Sequence, residues 1–147
     1  MRKVHREALV PYSAREMYDL VNDIESYPDF LPWCREARVL EHWDNELHAR
    51  LTLSKGGVRR SFTTRNRMEP GRLIDITLVD GPFRHLDGEW HFEPLRDDAS
   101  RVSLDMHFDF SGPLIAAMVG PVFHQIANSL VDAFTRRARD VHGRRTA

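Results

Sequence analysis

A single cysteine, Cys34, stands in the 147-residue chain, so neither an intramolecular disulfide nor a cysteine-based zinc site can form. Neither sign of charge dominates: 21 Lys and Arg face 22 Asp and Glu, a formal net charge of −1. That balance argues against bulk phosphate binding as the main task, and no DNA partner is expected. The opening residues, Met1-Arg2-Lys3-Val4-His5-Arg6-Glu7, lack the apolar core of a secretory signal. A reducing, cytoplasmic setting is therefore expected. The chain also lacks an HExxH pattern, a nucleophile elbow and a phosphate-binding glycine loop. No catalytic residue, no metal and no required cofactor is expected.

What is present describes a globular chain. Apolar residues make up 41% and charged residues 29%, and no repeat or linker interrupts them, so residues 1–147 read as one domain. A chain of this length buries about 70% of its extended surface and needs no covalent staple. Residues 2–10 suit a first strand. Ser13 with Glu16 three residues later forms a capping box, and Met17, Leu20, Val21 and Ile24 then recur at helical spacing. The spacing predicts a helix that ends before Tyr27-Pro28, with at most one helical turn over Asp29-Phe30-Leu31.

Six further strands follow. Ala37 to Trp43 alternates, Asp44-Asn45 turns the chain, and Leu47, Ala49, Leu51 and Leu53 share one parity. Val58 to Met68 puts Phe62, Thr64, Asn66 and Met68 on one side. Ile74, Ile76 and Leu78 alternate next, then Leu86, Trp90 and Phe92, then Val102, Leu104, Met106, Phe108 and Phe110. Turn signals every eight to twelve residues predict an antiparallel meander. Pro121 suits the first position of a long helix over 121–142, stopped by Gly143. Leu114 to Val119 reads as a short preceding helix or as the start of the same one. The fold class is α+β: a curved antiparallel sheet of about seven strands around a long C-terminal helix, with one or two short helices after strand 1. A sheet bent around one helix leaves a concave, apolar space suited to a lipophilic molecule.

Several features carry two readings each. Phe110 to Val131 holds 22 residues without a formal charge, long enough to span a bilayer, but its Gly-Pro pairs and polar side chains favour an amphipathic cover for the core. Its 112–121 part reads as a lipid gate or membrane-surface contact. Arg136, Arg137, Arg139, Arg144 and Arg145 form a basic tail, opposed within that stretch only by Asp140. They complement the helix dipole or make salt-dependent contacts with phosphate. His85, His91 and His107 lie on outward parities among carboxylates. Strand neighbours two apart sit about 6.8 Å from one another, so a solvated face is expected rather than a bonded cluster. Cys34 reads as a buried small side chain.

The stretch Leu20-Val21-Asn22-Asp23-Ile24-Glu25-Ser26-Tyr27-Pro28-Asp29-Phe30-Leu31-Pro32-Trp33-Cys34 resembles the coenzyme Q-binding protein family, also called the RatA family. Gly81-Pro82-Phe83-Arg84-His85-Leu86-Asp87-Gly88-Glu89-Trp90-His91-Phe92 and Phe108-Asp109-Phe110 resemble further parts of its pattern, and the likeness spans nearly the whole chain. The resemblance implies a START-like helix-grip fold within the superfamily labelled polyketide cyclase/dehydrase-like. It implies an internal cavity holding ubiquinone or a related polyprenyl molecule, in support of respiration or quinone biosynthesis. Bacterial members carry a second description, a toxin that binds the large ribosomal subunit and blocks subunit association. A cyclase-like enzyme is the third reading, with Thr64 and Asn66 as its inward polar candidates.

On the first reading Tyr27, Phe30 and Trp33 form the mouth. Phe62, Trp90, Phe92, Met106 and Phe108 line the sheet side, and Met118, Phe123, Ile126 and Leu130 line the helix side. The expected ligand is ubiquinone. The expected partners are that lipid, a transient membrane surface on its inner face, and the large ribosomal subunit.

Overall fold

The computed structural model describes residues 1–145. Strand β1 (Arg2–Val10) leads into α1 (Ala14–Asn22), a 3₁₀ turn over Ile24–Asp29, and then β2 (Cys34–Trp43), β3 (Glu46–Lys55), β4 (Val58–Glu69), β5 (Leu73–Asp80), β6 (Phe83–Arg96) and β7 (Ala99–Phe110). Helix α2 (Pro113–His142) closes the chain. The strands form one antiparallel sheet in the order β1-β7-β6-β5-β4-β3-β2, a meander whose first strand pairs with its last. Parity in the sequence becomes burial in the fold. Leu47, Ala49 and Leu53 are buried from β3, and Val102, Leu104, Met106, Phe108 and Phe110 from β7. Asn45 takes the left-handed conformation (φ 57°) that the tight β2–β3 turn requires.

The capping box forms as expected: Glu16 N donates to Ser13 Oγ (3.0 Å) and Ser13 N to Glu16 Oε1 (2.9 Å). Helix α1 ends earlier than its apolar spacing suggests. Asp23 leaves the helical region (φ −85°, ψ 69°), and its carboxylate accepts from the Ser26 hydroxyl at 2.6 Å. This local bond competes with the helix backbone. The chain re-forms as a 3₁₀ turn that contains Pro28 rather than stopping ahead of it.

Helix α2 starts ahead of Pro121, and Leu114 to Val119 is the start of the same helix, the second of its two expected readings. Pro113 holds the first position, and Pro121 lies inside one 30-residue helix, about 45 Å long. Pro121 has no N–H, so the Ala117 carbonyl loses its helical partner. Both residues are exposed, so the carbonyl lies on the solvent side of the helix. Beside it the Arg2 guanidinium lies over Gly120, where a Cβ would come within 2.9 Å of a guanidinium nitrogen. The helix is long and apolar enough to cross a membrane by length and composition, yet here it covers the sheet. Restoring the missing hydrogen bond with Pro121→Ala is expected to raise the unfolding free energy by about 1–2 kcal/mol, the helical cost of proline less its effect on the unfolded chain. Urea denaturation checks this, and a loss of stability contradicts it.

The end of α2 is tied to α1. Arg145 donates to both Glu16 oxygens (2.8 and 3.0 Å), and Tyr12 OH donates to the Gly143 carbonyl (2.8 Å). The hydrogen bond from Arg145 is the largest cause that lowers the Glu16 carboxyl to about 2, with Ser13 N–H adding to it. A carboxyl held below its unfolded value stabilises the fold above the ordinary carboxylate range, and that contribution fades as pH falls toward about 2. Glu16→Gln is therefore expected to be less stable than the parent at pH 7 and equal to it near pH 2. Denaturant midpoints across that range test this, and a gap that persists at the acid end contradicts it.

Candidate functional site

Helix α2 packs on β1 and β7 and meets β4 only at its margin. Toward the β2 edge of the sheet, two inward side chains on β3 and β4 are short. Ala49 on β3 faces Thr64 on β4 across the strand pair, and Ala127 looks back from α2. The space these leave is a partly open cavity of about 80 Å³. Phe62, Ile76, Leu86, Trp90 and Met106 wall it on the sheet side, and Phe123, Ile126, Leu130 and Phe134 roof it from α2. Ile24, Tyr27 and Trp33 close the third side from the segment between α1 and β2. The cavity is about half the size of an engineered apolar cavity that stays dry and binds benzene. Pockets for drug-sized ligands run to roughly 300–1,000 Å³, so a large occupant requires α2 and the 24–33 segment to separate.

The lining is almost wholly apolar, with no Asp, Glu, Lys, Arg or His. Tyr27 turns only its ring inward, because its hydroxyl donates to the Val21 carbonyl. Burial pushes that phenol well above its ordinary value. Cys34 is buried behind Trp33, its thiol pushed up to about 11 by burial, which leaves it unreactive as a nucleophile. Thr64 and Asn66 are the polar exceptions. Both are buried, and the Thr64 hydroxyl donates to Asn66 Oδ1 at 2.9 Å.

Of the twelve expected lining residues, Tyr27, Trp33, Phe62, Trp90, Met106, Phe123, Ile126 and Leu130 border the cavity. Four do not. Phe108 is sealed where α2 lies flush on β7, its ring 4.9 Å from Phe123. Phe92 faces α1 and meets Tyr18 edge-on at 5.7 Å. Phe30 backs Phe134 from outside the cavity, with the Arg137 guanidinium 4.7 Å above its ring. Met118 sits on the outer side of α2, 47% exposed. Phe134 and Ala49 were not among the expected residues. Phe134 follows Leu130 at helical spacing, which marks it as roof. Ala49 was legible only as a small residue among large ones on an inward parity.

Two surface expectations also change. The outward histidines are bonded, not merely solvated. Asp87 accepts from or pairs with both His85 (2.5 Å) and His107 (3.1 Å), His5 meets Asp105 (2.6 Å), and His91 meets Glu89 (2.9 Å). Side-chain reach closes the gap along β6, and His107 stands directly opposite Asp87. Among the described residues no group could hold a metal ion. In the arginine tail Arg145 and Arg137 are engaged, as described, whereas Arg136, Arg139 and Arg144 are exposed.

A seven-stranded sheet gripping one long helix around an apolar chamber defines a START-like, helix-grip protein. The model of the polyketide cyclase/dehydrase and lipid transport family matches residues 10–135, and the chain belongs to that family. It is 47% identical over 140 residues to a protein of Pseudomonas aeruginosa named ribosome association toxin RatA, covering 95% of this chain and 97% of that one. It is 27% identical to the mitochondrial coenzyme Q-binding protein COQ10 homolog B of Xenopus laevis, over 90% of this chain and 56% of that one. Among solved structures, the Zhui aromatase/cyclase of Streptomyces sp. R1128 superposes with a TM-score of 0.82 at 20% identity, covering 95% of each chain. A START superfamily protein of Mycobacterium smegmatis superposes at 0.79 with 21% identity, covering 95% of this chain and 98% of that one. Both structural likenesses show the fold alone.

Proposed function

We propose that the protein holds ubiquinone or a related polyprenyl molecule between α2 and the sheet, in support of respiration or quinone biosynthesis. The observation that carries this reading is the apolar cavity where Ala49, Thr64 and Ala127 fail to fill the interior. Burying the isoprenoid chain supplies about 25 cal/mol per Å² before ordering costs. The similarity to a coenzyme Q-binding protein supports the ligand class. The lack of ionised lining groups supports binding rather than acid–base catalysis, although an aromatase/cyclase shares the fold. Entry runs past the first turns of α2, where Leu114 and Met118 are exposed. The β3–β4 turn packs beside them, since a Cβ at Gly56 would lie 3.7 Å from Val122. That hairpin carries Lys55, Arg59 and Arg60, which suits brief contact of a cytoplasmic protein with an anionic membrane face. Mass spectrometry of an organic extract of the purified protein is expected to find a polyprenyl quinone. An extract free of any lipid contradicts the reading.

A second reading, association with the large ribosomal subunit, is favoured by the 47% identity to a ribosome association toxin. It uses outer surfaces and is compatible with the first. Because Arg137 packs on Phe30, the exposed Arg136, Arg139 and Arg144 are the residues to change. Co-sedimentation with the large subunit, lost on their replacement by Ala, supports this reading. Absence of the parent protein from ribosomal fractions rejects it.

A further inference from the structure

The inward row of β4 reads Phe62, Thr64, Asn66, Met68, so two polar side chains occupy the middle of an apolar wall. Their inward cross-strand neighbours are Leu47 and Ala49 on β3 and Ile76 and Leu78 on β5. Only 6% of Thr64 and 7% of Asn66 is exposed. Burying a hydroxyl and a carboxamide among hydrocarbon is costly unless their hydrogen bonds are made. The bond between them uses the hydroxyl proton and one lone pair of the amide oxygen. The two N–H donors of the amide remain to be used, and both residues border the cavity.

We infer that Thr64 and Asn66 form a hydrogen-bonding subsite for a neutral lipid that carries a carbonyl. The Asn66 amide donates to the carbonyl oxygen, and the Thr64 hydroxyl holds the amide in place by bonding its oxygen. This rests on the cavity-binding reading above and adds to it the chemistry and orientation of the occupant. The polar ring lies against β4, and the chain takes the apolar remainder beside Phe62, Trp90 and Leu130. The same lining excludes other amphiphiles. A fatty-acid carboxylate would enter a chamber without Lys, Arg or His to neutralise it. A bare hydrocarbon would leave the amide donors unbonded. A site built to bond a polar group discriminates against ligands that lack it more strongly than an apolar site discriminates by size.

Calorimetric titration with two probes of equal chain length, decylubiquinone and decylbenzene, tests this on the intact protein, its Asn66→Leu variant and its Thr64→Val variant. Asn66→Leu is expected to weaken decylubiquinone about tenfold, the worth of one buried hydrogen bond. It is expected not to weaken decylbenzene, which makes no bond to the amide and is relieved of leaving its donors unbonded. Thr64→Val, which only releases the amide, is expected to show the same selectivity at about threefold. Thermal melts confirm that both variants fold. If both probes bind the parent and Asn66→Leu shifts neither, or shifts both alike, the subsite is overturned while the cavity reading stands. If neither probe binds the parent, the cavity reading and the subsite fall together.

Discussion

Phe134→Ala is expected to lower the unfolding free energy by about 3–5 kcal/mol, the range for removing a fully buried aromatic ring. Phe134 is 1% exposed. Its ring meets Tyr27 at 5.4 Å, Phe30 at 5.3 Å and Trp90 at 5.4 Å, all nearly edge to face. It thus joins three parts of the molecule: the 24–33 segment, β6 and α2. Each such pair contributes about 0.5–1.5 kcal/mol beyond its buried area, and the alanine leaves a void continuous with the existing cavity. Urea denaturation measures the loss. A change under about 1 kcal/mol would mean that α2 does not clamp the segment as described. A ligand that enters the enlarged space should restore part of the stability in proportion to its concentration over its Kd.

Ala49→Leu is expected to act in the opposite way, sparing the fold and closing the site. Ala49 is 1% exposed and opens onto the cavity from β3. Leucine adds three carbons to a space of about 80 Å³. Without ligand the added carbons occupy a void and cost little. With ligand they compete for the same volume, and overpacking of about 1–3 kcal/mol translates to roughly 5–150-fold weaker binding. Titration with decylubiquinone reads this directly. Unchanged affinity would place the ligand elsewhere. The same variant separates the two functional readings, because ribosome association through outer arginines is expected to be untouched by a change in the core.

The meander was legible because half-buried strands alternate, as β7 does from Arg101 to Phe110 and β3 from Glu46 to Arg50. The capping box at Ser13 and Glu16 was legible because its spacing has one geometric meaning. The start of α2 was not, because Gly112-Pro113 and Gly120-Pro121 carry the same local signal. Only packing distinguishes them: the uncharged 113–121 stretch gains more by continuing the helix over the sheet than it loses at one missing bond. The cavity was half legible. Inward parity put Phe62, Trp90 and Met106 at its wall, but the same parity holds for Phe92 and Phe108, which α1 and α2 bury completely. A void is made where side chains are small, at Ala49, Thr64 and Ala127, and where a helix stands away from the sheet. The second condition depends on the crossing of α2, which no short stretch of sequence encodes. The His–carboxylate pairs escaped for a similar reason, since strand rise measures backbone separation and not side-chain reach.

The central claim is that a lipophilic molecule occupies the chamber beneath α2. Trp33 and Trp90 border that chamber, whereas Trp43 is 47% exposed on the far end of β2. Adding decylubiquinone while following tryptophan emission should quench the buried pair in a saturable, one-to-one manner and leave the Trp43 component. Quenching that grows linearly and touches all three indoles alike, or none at all, would contradict the account.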